Sequence, residues 1–568
     1  MPVNLTINGT TIGDPRGRSI FDCAEDAGIR VPTSCHKNGR CKECIVEVSQ
    51  GADLISPPTP AEAHLSGDFR LSCQCWLPSE AQGEVKCNTM RRGEMRIERH
   101  GQGLPASPRV EPDPCVIRDG KRILIDGDEI DYSSGPIHGL AIDLGTTTIV
   151  LRLFNLETGQ LIADGALENP QRFGGSDVMS RIQYDTTHAG RLLMRTVAGY
   201  LSHAIEALPV DPKSIYEAVI VGNSTMRDLF FRQSVYTIGQ NPYRSITEIE
   251  LAEGKRDTTS LTMTGKQALL PIHPKARVYG APIISGHVGA DAAACMLAIN
   301  LADETRTVCL MDIGTNTELI LGNKDRILAA SCPAGPAFEG GAITCGMPGL
   351  EGAIEDVAID DNGNFRLRII GDNAPSLTLP RSTGGGNTPL GICGSGLVAA
   401  LGELLRTGRM NEYGRFEDGE EHFVLDLANR ITFHERDVNE LAQAKGANVA
   451  GLHVIFDRYG ITFDDLDLFY LAGGFGRHLR IDSSKRIGLI PDLPDGKIVQ
   501  IGNAAIEGAS IALLSKSRRN ELERLVRKVE HCRLETHPDF FDFFVEGCQF
   551  HPVVNNELAN DGARMRTD

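Results

Sequence analysis

The chain has 568 residues, 41% hydrophobic and 23% charged, enough for several domain-sized units with sizeable cores. A formal net charge of −18 argues against a non-specific nucleic-acid binder, which needs a basic face. No apolar run of about eighteen or more residues argues against a spanning helix. The opening MPVNLTINGTTIG has no basic stretch followed by an apolar one, so no secretory signal is expected and the cytoplasm is the expected location. There, fifteen cysteines point to metal ligation and core filling rather than disulfides. Cys295, Cys309 and Cys393 sit in apolar stretches and are expected in the core.

In chain order, VNLTINGT alternates apolar and polar residues and turns at Asn8-Gly9, predicting a β-hairpin. SIFDCAEDAGI predicts a short helix closed by Gly28. SCHKNGRCKEC follows, with Cys35, Cys41 and Cys44 in a C-x5-C-x2-C spacing. CIVEVSQG, FRLSCQCWL and EVKCNTM read as strands, and residues 1–90 sum to a small β-grasp domain. Thiolates are soft ligands for zinc or iron–sulfur clusters. Zinc sites repeat short C-x2-C pairs. A longer gap, a short one and a distant cysteine are closer to the plant-type [2Fe–2S] spacing, C-x4-C-x2-C…C. A zinc loop or free thiols is the bland alternative. On one strand Cys73 and Cys75 share a face, so strand geometry leaves the fourth ligand open between them.

On these motifs, residues 1–90 resemble a [2Fe–2S] ferredoxin domain, the five-residue first gap being similar to the adrenodoxin-like branch. The family pattern places its last cysteine after R-L-x. The resemblance therefore implies Cys73, in Arg70-Leu71-Ser72-Cys73, as fourth ligand beside Cys35, Cys41 and Cys44. Lys42-Glu43 stands where similar domains often carry Gly-Lys, a departure that bears on the loop's amide contacts and on the potential.

Residues 91–137 are polar and rich in Arg, Pro, Gly and Asp, and read as a linker or small irregular connecting piece. Then one supersecondary unit is written twice. GLAIDLGTTTIVLRLF carries Asp143-Leu144-Gly145-Thr146-Thr147, and VCLMDIGTNTELIL carries Asp312-Ile313-Gly314-Thr315-Asn316 in register. Two hairpins with D-x-G-T tips predict two similar lobes facing each other, over 138–302 and 303–545, with a tail over 546–568. Glycine lets backbone amides approach an anion. Threonine adds a hydroxyl donor, and an aspartate at the strand end can orient a magnesium-bound water. Two merely structural turns are the plain alternative.

A third element, DLDLFYLAGGFGRHL, is a buried strand running into a loop with Gly473, Gly474 and Gly476. Other stretches say less. NPQRFGGSDVMSRIQYD predicts a helix starting at Ser176 or Asp177; Asn169, Gln171 and Arg181 are either within reach of the cleft or, as composition favours, on a solvated face. VGNSTM reads as a polar turn after an apolar strand, and HPDFFDFFVEGCQFHP as a final edge element.

With both tips and the glycine loop in this order, residues 138–545 resemble the ASKHA superfamily, the two-lobed actin-like, ribonuclease-H-like ATPase fold, with Ala472-Gly473-Gly474-Phe475-Gly476 as its adenosine loop. The whole chain, through RLSCQ, AIDLGTTT, LMDIGTNTE, AGPAFEG, GICGSG and LAGGFG, resembles the reductive activators of corrinoid-dependent enzymes. That resemblance implies an α/β multidomain protein using a [2Fe–2S] cluster and ATP with Mg2+. It implies transfer of one electron to the Co(II) corrinoid of a partner protein in a methyltransferase system, restoring Co(I). Asp143 and Asp312 would orient metal and water. Gly145, Thr146, Thr147, Gly314, Thr315, Asn316, Gly473, Gly474 and Gly476 would hold the nucleotide. An upstream low-potential electron donor is implied, with no nucleic-acid or membrane partner, and a homodimer is expected from the resemblance alone. The rival readings are an ATP-driven electron donor to another low-potential enzyme, a small-molecule kinase with a redox-sensing ferredoxin domain, and a chaperone-like module in which ATP gates partner release.

Overall fold

The protein is described from a computed structural model over residues 3–90, 96–98, 112–371, 388–474, 476 and 479–555, with backbone alone for 96–98 and 418. Phe475 of the expected glycine loop, part of the expected linker and the end of the expected tail lie outside these residues.

The first ninety residues form a five-stranded sheet in the order Thr10–Ile12, Val3–Ile7, Gly83–Thr89, Ile45–Gln50, Phe69–Leu71. Val3–Ile7 runs parallel to Gly83–Thr89, the mixed pairing of a β-grasp. The Asn8-Gly9 turn has φ of +49° and +79°, the two left-handed residues of the hairpin turn its sequence predicts. Ser19 accepts the Asp22 N–H at 3.1 Å and starts the helix Ile20–Asp26, which buries Ile20, Phe21, Cys23 and Ala24. One expectation fails. FRLSCQCWL is not a single strand: the strand ends at Leu71, where the Leu71 carbonyl accepts Gln74 N–H at 2.7 Å and Cys75 N–H at 3.2 Å and turns the chain.

Within the stretch read as a linker, Val116–Asp119, Arg122–Ile125 and Asp128–Tyr132 form a three-stranded antiparallel sheet. The residues that gave the irregular composition make its turns: Gly120 at φ +64°, and Asp126-Gly127 at +50° and +95°.

Each D-x-G-T hairpin sits in a larger sheet. The first has the order Leu261–Thr264, Arg277–Gly280, Ile215–Val221, His138–Leu144, Thr148–Asn155, Leu161–Glu168, Arg96–Glu98. The second has the order Ile498–Gly502, Leu468–Ala472, Val308–Ile313, Thr317–Gly322, Ile327–Cys332, Val529–His531. In both, the aspartate strand pairs antiparallel with its hairpin partner on one side and parallel with a later strand on the other. The repeat seen in the sequence is therefore a repeat of topology.

The chain divides into two compact units. The first runs from the ferredoxin domain to Ala294 and includes Gly508–Glu523; the second takes Cys295–Glu507 and the chain from Arg524. In the first unit the apolar side chains of the ferredoxin domain are continuous with those of the lobe sheet, so one core serves both. The second unit has its own core. There the helix Phe540–Gly547 packs on the helix Glu435–Tyr459, and Phe550 and Val553 are buried, so the stretch assigned to a tail from 546 is anchored as far as Val553. Among the described residues no helix is long and apolar enough to cross a membrane.

Candidate functional site

The cysteine loop is wound tightly. His36, Lys37, Gly39 and Lys42 have φ of +52°, +65°, +75° and +63°. A Cβ on Gly39 would lie 3.2 Å from the side chains of Ala61 and Gln74, so the loop packs directly on the segment carrying Cys73. Backbone amides turn inward as a result. Those of Asn38, Arg40 and Cys41 serve the Cys35 sulfur, those of Ser34 and Glu43 serve Cys41, and that of Gly39 serves Cys73. Gln74 Nε2 also donates to Cys73 Sγ at 3.3 Å. Such donors favour the ionised sulfur.

The thiols come in two pairs, Cys35 with Cys41 and Cys44 with Cys73, each joined by a hydrogen bond between sulfurs. That bond from Cys44, with the Gln74 donor, holds Cys73 down to about 6, while Cys44 is pushed up. Cys75 is different. Burial pushes it up to about 12, and it lies with Cys87 in the core. The turn after Leu71 separates two cysteines that a straight strand would have left equivalent. Ahead of that turn, the buried Arg70–Glu62 pair at 2.8 Å and the Leu71 N–H on Glu62 at 3.0 Å fix the entry to Cys73. Among the described residues no three His, Cys, Asp or Glu side chains converge where a single ion could sit. Two thiol pairs ringed by amides fit a cluster of two irons held by four thiolates.

The first tip closes the hairpin of His138–Leu144 and Thr148–Asn155. Asp143 is buried at the strand end, opposite Val150. A Cβ on Gly145 would lie 2.4 Å from the Thr148 carbonyl oxygen, so only glycine fits. Two asparagines shape the tip. Asn169 Nδ2 donates to Gly145 O at 2.8 Å and its N–H to Thr147 O at 2.7 Å. Asn223 Nδ2 donates to Thr146 Oγ1 at 2.8 Å, while its Oδ1 caps the helix Ser224–Phe230 through Met226 N–H at 3.0 Å. Gln171 and Arg181 are 2% and 1% exposed and bonded to each other at 3.1 Å. The face read from composition as solvated is thus a buried support. The helix itself begins as expected, with Asp177 as its cap.

The second tip closes the hairpin of Val308–Ile313 and Thr317–Gly322. Gly314 N–H donates to Asn316 O at 3.1 Å, and the Thr315 hydroxyl donates to the Glu339 carboxylate, which comes from AGPAFEG. Asp312 lies opposite Glu318 on one side and Ala472 on the other. The expected glycine loop therefore starts beside this aspartate. Gly473 has φ +105°, and a Cβ there would lie 2.4 Å from Ile313 O and 3.1 Å from Asp312 Oδ1. Gly474 would meet nothing within 4 Å. Gly476 N–H donates to Gly473 O at 3.1 Å, and Gln500 Nε2 ties Gly476 O at 2.6 Å and Leu479 O at 2.9 Å. Burial pushes the Asp312 carboxyl up to about 6, opposed by the Cys295 thiol donating to Oδ2 at 3.4 Å. Asp143 belongs to the first unit and Asp312 to the second. Asn223, Glu339 and Gln500 are supports the sequence reading did not single out, and Asn169 is one that composition had favoured for a solvated face.

Three family models match in succession: a 2Fe-2S iron-sulfur cluster binding domain over residues 5–77, the RACo middle region over 138–304, and the C-terminal ASKHA domain of RACo over 306–559. The corrinoid activation enzyme RamQ of Eubacterium limosum is 31% identical over 597 aligned positions, covering 94% of this chain and 96% of that protein. The [Co(II) methylated amine-specific corrinoid protein] reductase of Methanosarcina barkeri is 25% identical, covering 72% and 76%. The solved structure of a reductive activator for a corrinoid, iron-sulfur protein superposes with a TM-score of 0.70 at 26% identity, covering 97% of this chain and 98% of that one. Likeness over nearly the full length, in the same domain order, places this chain in the family of corrinoid reductive activators.

Proposed function

We propose that this protein is an ATP-dependent reductive activator that passes one electron from a [2Fe–2S] cluster to the Co(II) corrinoid of a partner protein, restoring Co(I). One observation carries the reading: two cysteine pairs, formed by the loop with Cys73, and a duplicated D-x-G-T hairpin share a chain that is alike, over 94% of its length, to a corrinoid activation enzyme. Cys35, Cys41, Cys44 and Cys73 are the proposed ligands, supported by their pairing and inward amides. A cluster so held supplies a one-electron couple, at about −400 mV in plant-type ferredoxins. The chain's residues do the rest. The amides and hydroxyls at 145–147 and 314–316 receive phosphate oxygens, the glycines from 473 to 476 take the adenosine, and Asp143 and Asp312 orient a magnesium-bound water.

ATP has a physical task. An acceptor harder to reduce than its donor costs about tenfold in equilibrium for every ~59 mV of a one-electron gap. A nucleotide offsets that only by binding one conformation of the complex more tightly than another. An upstream low-potential donor, a homodimer and a cytoplasmic location complete the proposal.

The test is anaerobic visible spectroscopy of a corrinoid protein from the same source, mixed with this protein and a low-potential reductant. The Co(I) band should grow only when both this protein and ATP are present. A reduced cluster with unchanged cobalt, across several corrinoid proteins, would overturn the assignment. The ligand set has a separate check: Cys73→Ser should lose the cluster absorbance, and Cys75→Ser should keep it.

A further inference from the structure

Glu43 lies between two proposed cluster ligands, and its side chain is only 12% exposed. A carboxylate there opposes reduction, because reduction adds a further negative charge beside it. Its partner comes from outside the ferredoxin domain. Arg195, near the start of the helix Leu192–Glu206, pairs with Glu43 at 3.4 Å and donates to the backbone carbonyl of Cys41. The same helix face continues along the domain. Gly199 lies against Pro32, close enough that a Cβ would sit 3.1 Å from the proline ring. Tyr200 Oη accepts Met90 N–H at 3.1 Å, and Glu206 meets Arg30 at 2.7 Å. Residues 195, 199 and 206 share this face at helical spacing. The contact is a dock, and its charged end is at the cysteine loop.

We propose that Arg195 is a positioning residue for electron transfer that also tunes the potential. It clamps the cysteine loop to the Leu192–Glu206 helix, and its charge offsets Glu43, so the docked loop accepts an electron more readily than a free one. This rests on the reading that Cys35, Cys41, Cys44 and Cys73 hold a one-electron cluster. The guanidinium is planar, permanently charged and fork-shaped, suited to a carboxylate and a carbonyl together. Without the Arg195 contact Glu43 is uncompensated and the cluster becomes a stronger donor. Docking thereby sets the driving force, and the Lys42-Glu43 departure from the family pattern acquires a role.

The experiment is spectroelectrochemistry of the full-length, cluster-loaded protein. Visible and EPR spectra first establish that the cluster is present; its absence from wild type would overturn the ligand reading, and with it the inference. With the cluster present, Arg195→Gln should lower the midpoint potential and Glu43→Gln should raise it. Each should change the oxidised-to-reduced ratio at fixed potential by about threefold, which is ~28 mV at 59 mV per tenfold. Arg195→Lys should restore most of the shift, and Arg30→Ala, at the exposed far end, should change nothing. Shifts of opposite sign are what a purely structural role does not produce. If Arg195→Gln cannot hold a cluster, Arg195→Met, which keeps the aliphatic stem on the helix, takes its place, and an unchanged or raised potential there would overturn the inference. Unchanged potentials in both variants, or shifts of the same sign, would overturn the inference while leaving the ligand reading intact.

Discussion

The two D-x-G-T tips are written almost alike and built differently. The first is held by neutral amides: Asn169 and Asn223 fill its carbonyl and hydroxyl sites, and behind them lies the buried Gln171–Arg181 pair. The second is held among charged and ionisable groups: Thr315 donates to Glu339, Cys295 donates to Asp312, and the glycine loop from 473 presses on the strand end. Duplication supplies two similar turns, and their surroundings differ. The first tip is on the unit that also carries the cysteine loop. The second carries an aspartate whose carboxyl burial pushes up to about 6, against the Cys295 thiol that donates to it.

The largest expected effect sharpens this asymmetry. Asp312→Asn should reduce ATP-stimulated growth of the Co(I) band by about 100-fold or more, equivalent to ~2.7 kcal/mol at 1.36 kcal/mol per tenfold. The cluster spectrum should be unchanged. Asp143→Asn should cost less; equal losses would erase the distinction. Next comes the glycine loop. Gly473→Ala forces a side chain into φ +105° against the Ile313 carbonyl oxygen, while Gly474→Ala enters open space. The first should destabilise by about 1–3 kcal/mol in denaturant unfolding, the second by under about 1 kcal/mol. Similar costs would mean that the loop yields. A smaller loss belongs to the first tip. Asn169→Ala strips a donor from the Gly145 carbonyl. Losing this part-buried bond should destabilise the protein by about 1 kcal/mol in denaturant unfolding and, by loosening the tip, should weaken nucleotide binding measurably in calorimetry. Unaltered affinity would show that this tip does not receive the phosphates.

What was legible in the sequence was local. The D-x-G-T turns, the Asn8-Gly9 hairpin and the cysteine spacing are each complete within a few residues, so pattern and backbone chemistry suffice. What was missed joins distant segments. Asn169 reaches Gly145 across 24 positions and Asn223 reaches Thr146 across 77, and neither carries a signal in its own neighbourhood. The turn that separates Cys73 from Cys75 was hidden because apolar and β-prone residues run through it without a glycine or proline. The small sheet at Val116–Tyr132 is the opposite case: Asp126-Gly127 is a hairpin signal, and the surrounding composition outweighed it.

The smallest expected effect tests the electrostatic half of the comparison directly. Burial raises the Asp312 carboxyl from 3.8 to about 6. Between those values the folded chain holds a proton that the unfolded chain has released. Stability from this group is therefore fully present below about 3.8 and is lost as pH rises through about 6. Depressed carboxylates such as Glu62, which burial raises but Arg70 and backbone donors lower further, run the other way and lose stability as pH falls. The two trends overlap in wild type, so the comparison must be with Asp312→Asn, which cannot ionise. In nucleotide-free protein the variant's Tm should match wild type near about pH 3.5, separate from it as pH rises from there, and exceed it by a few degrees near about pH 7.5. A Tm difference independent of pH would mean that Asp312 titrates as an ordinary surface carboxyl, and that the two tips differ in their supports but not in their chemistry.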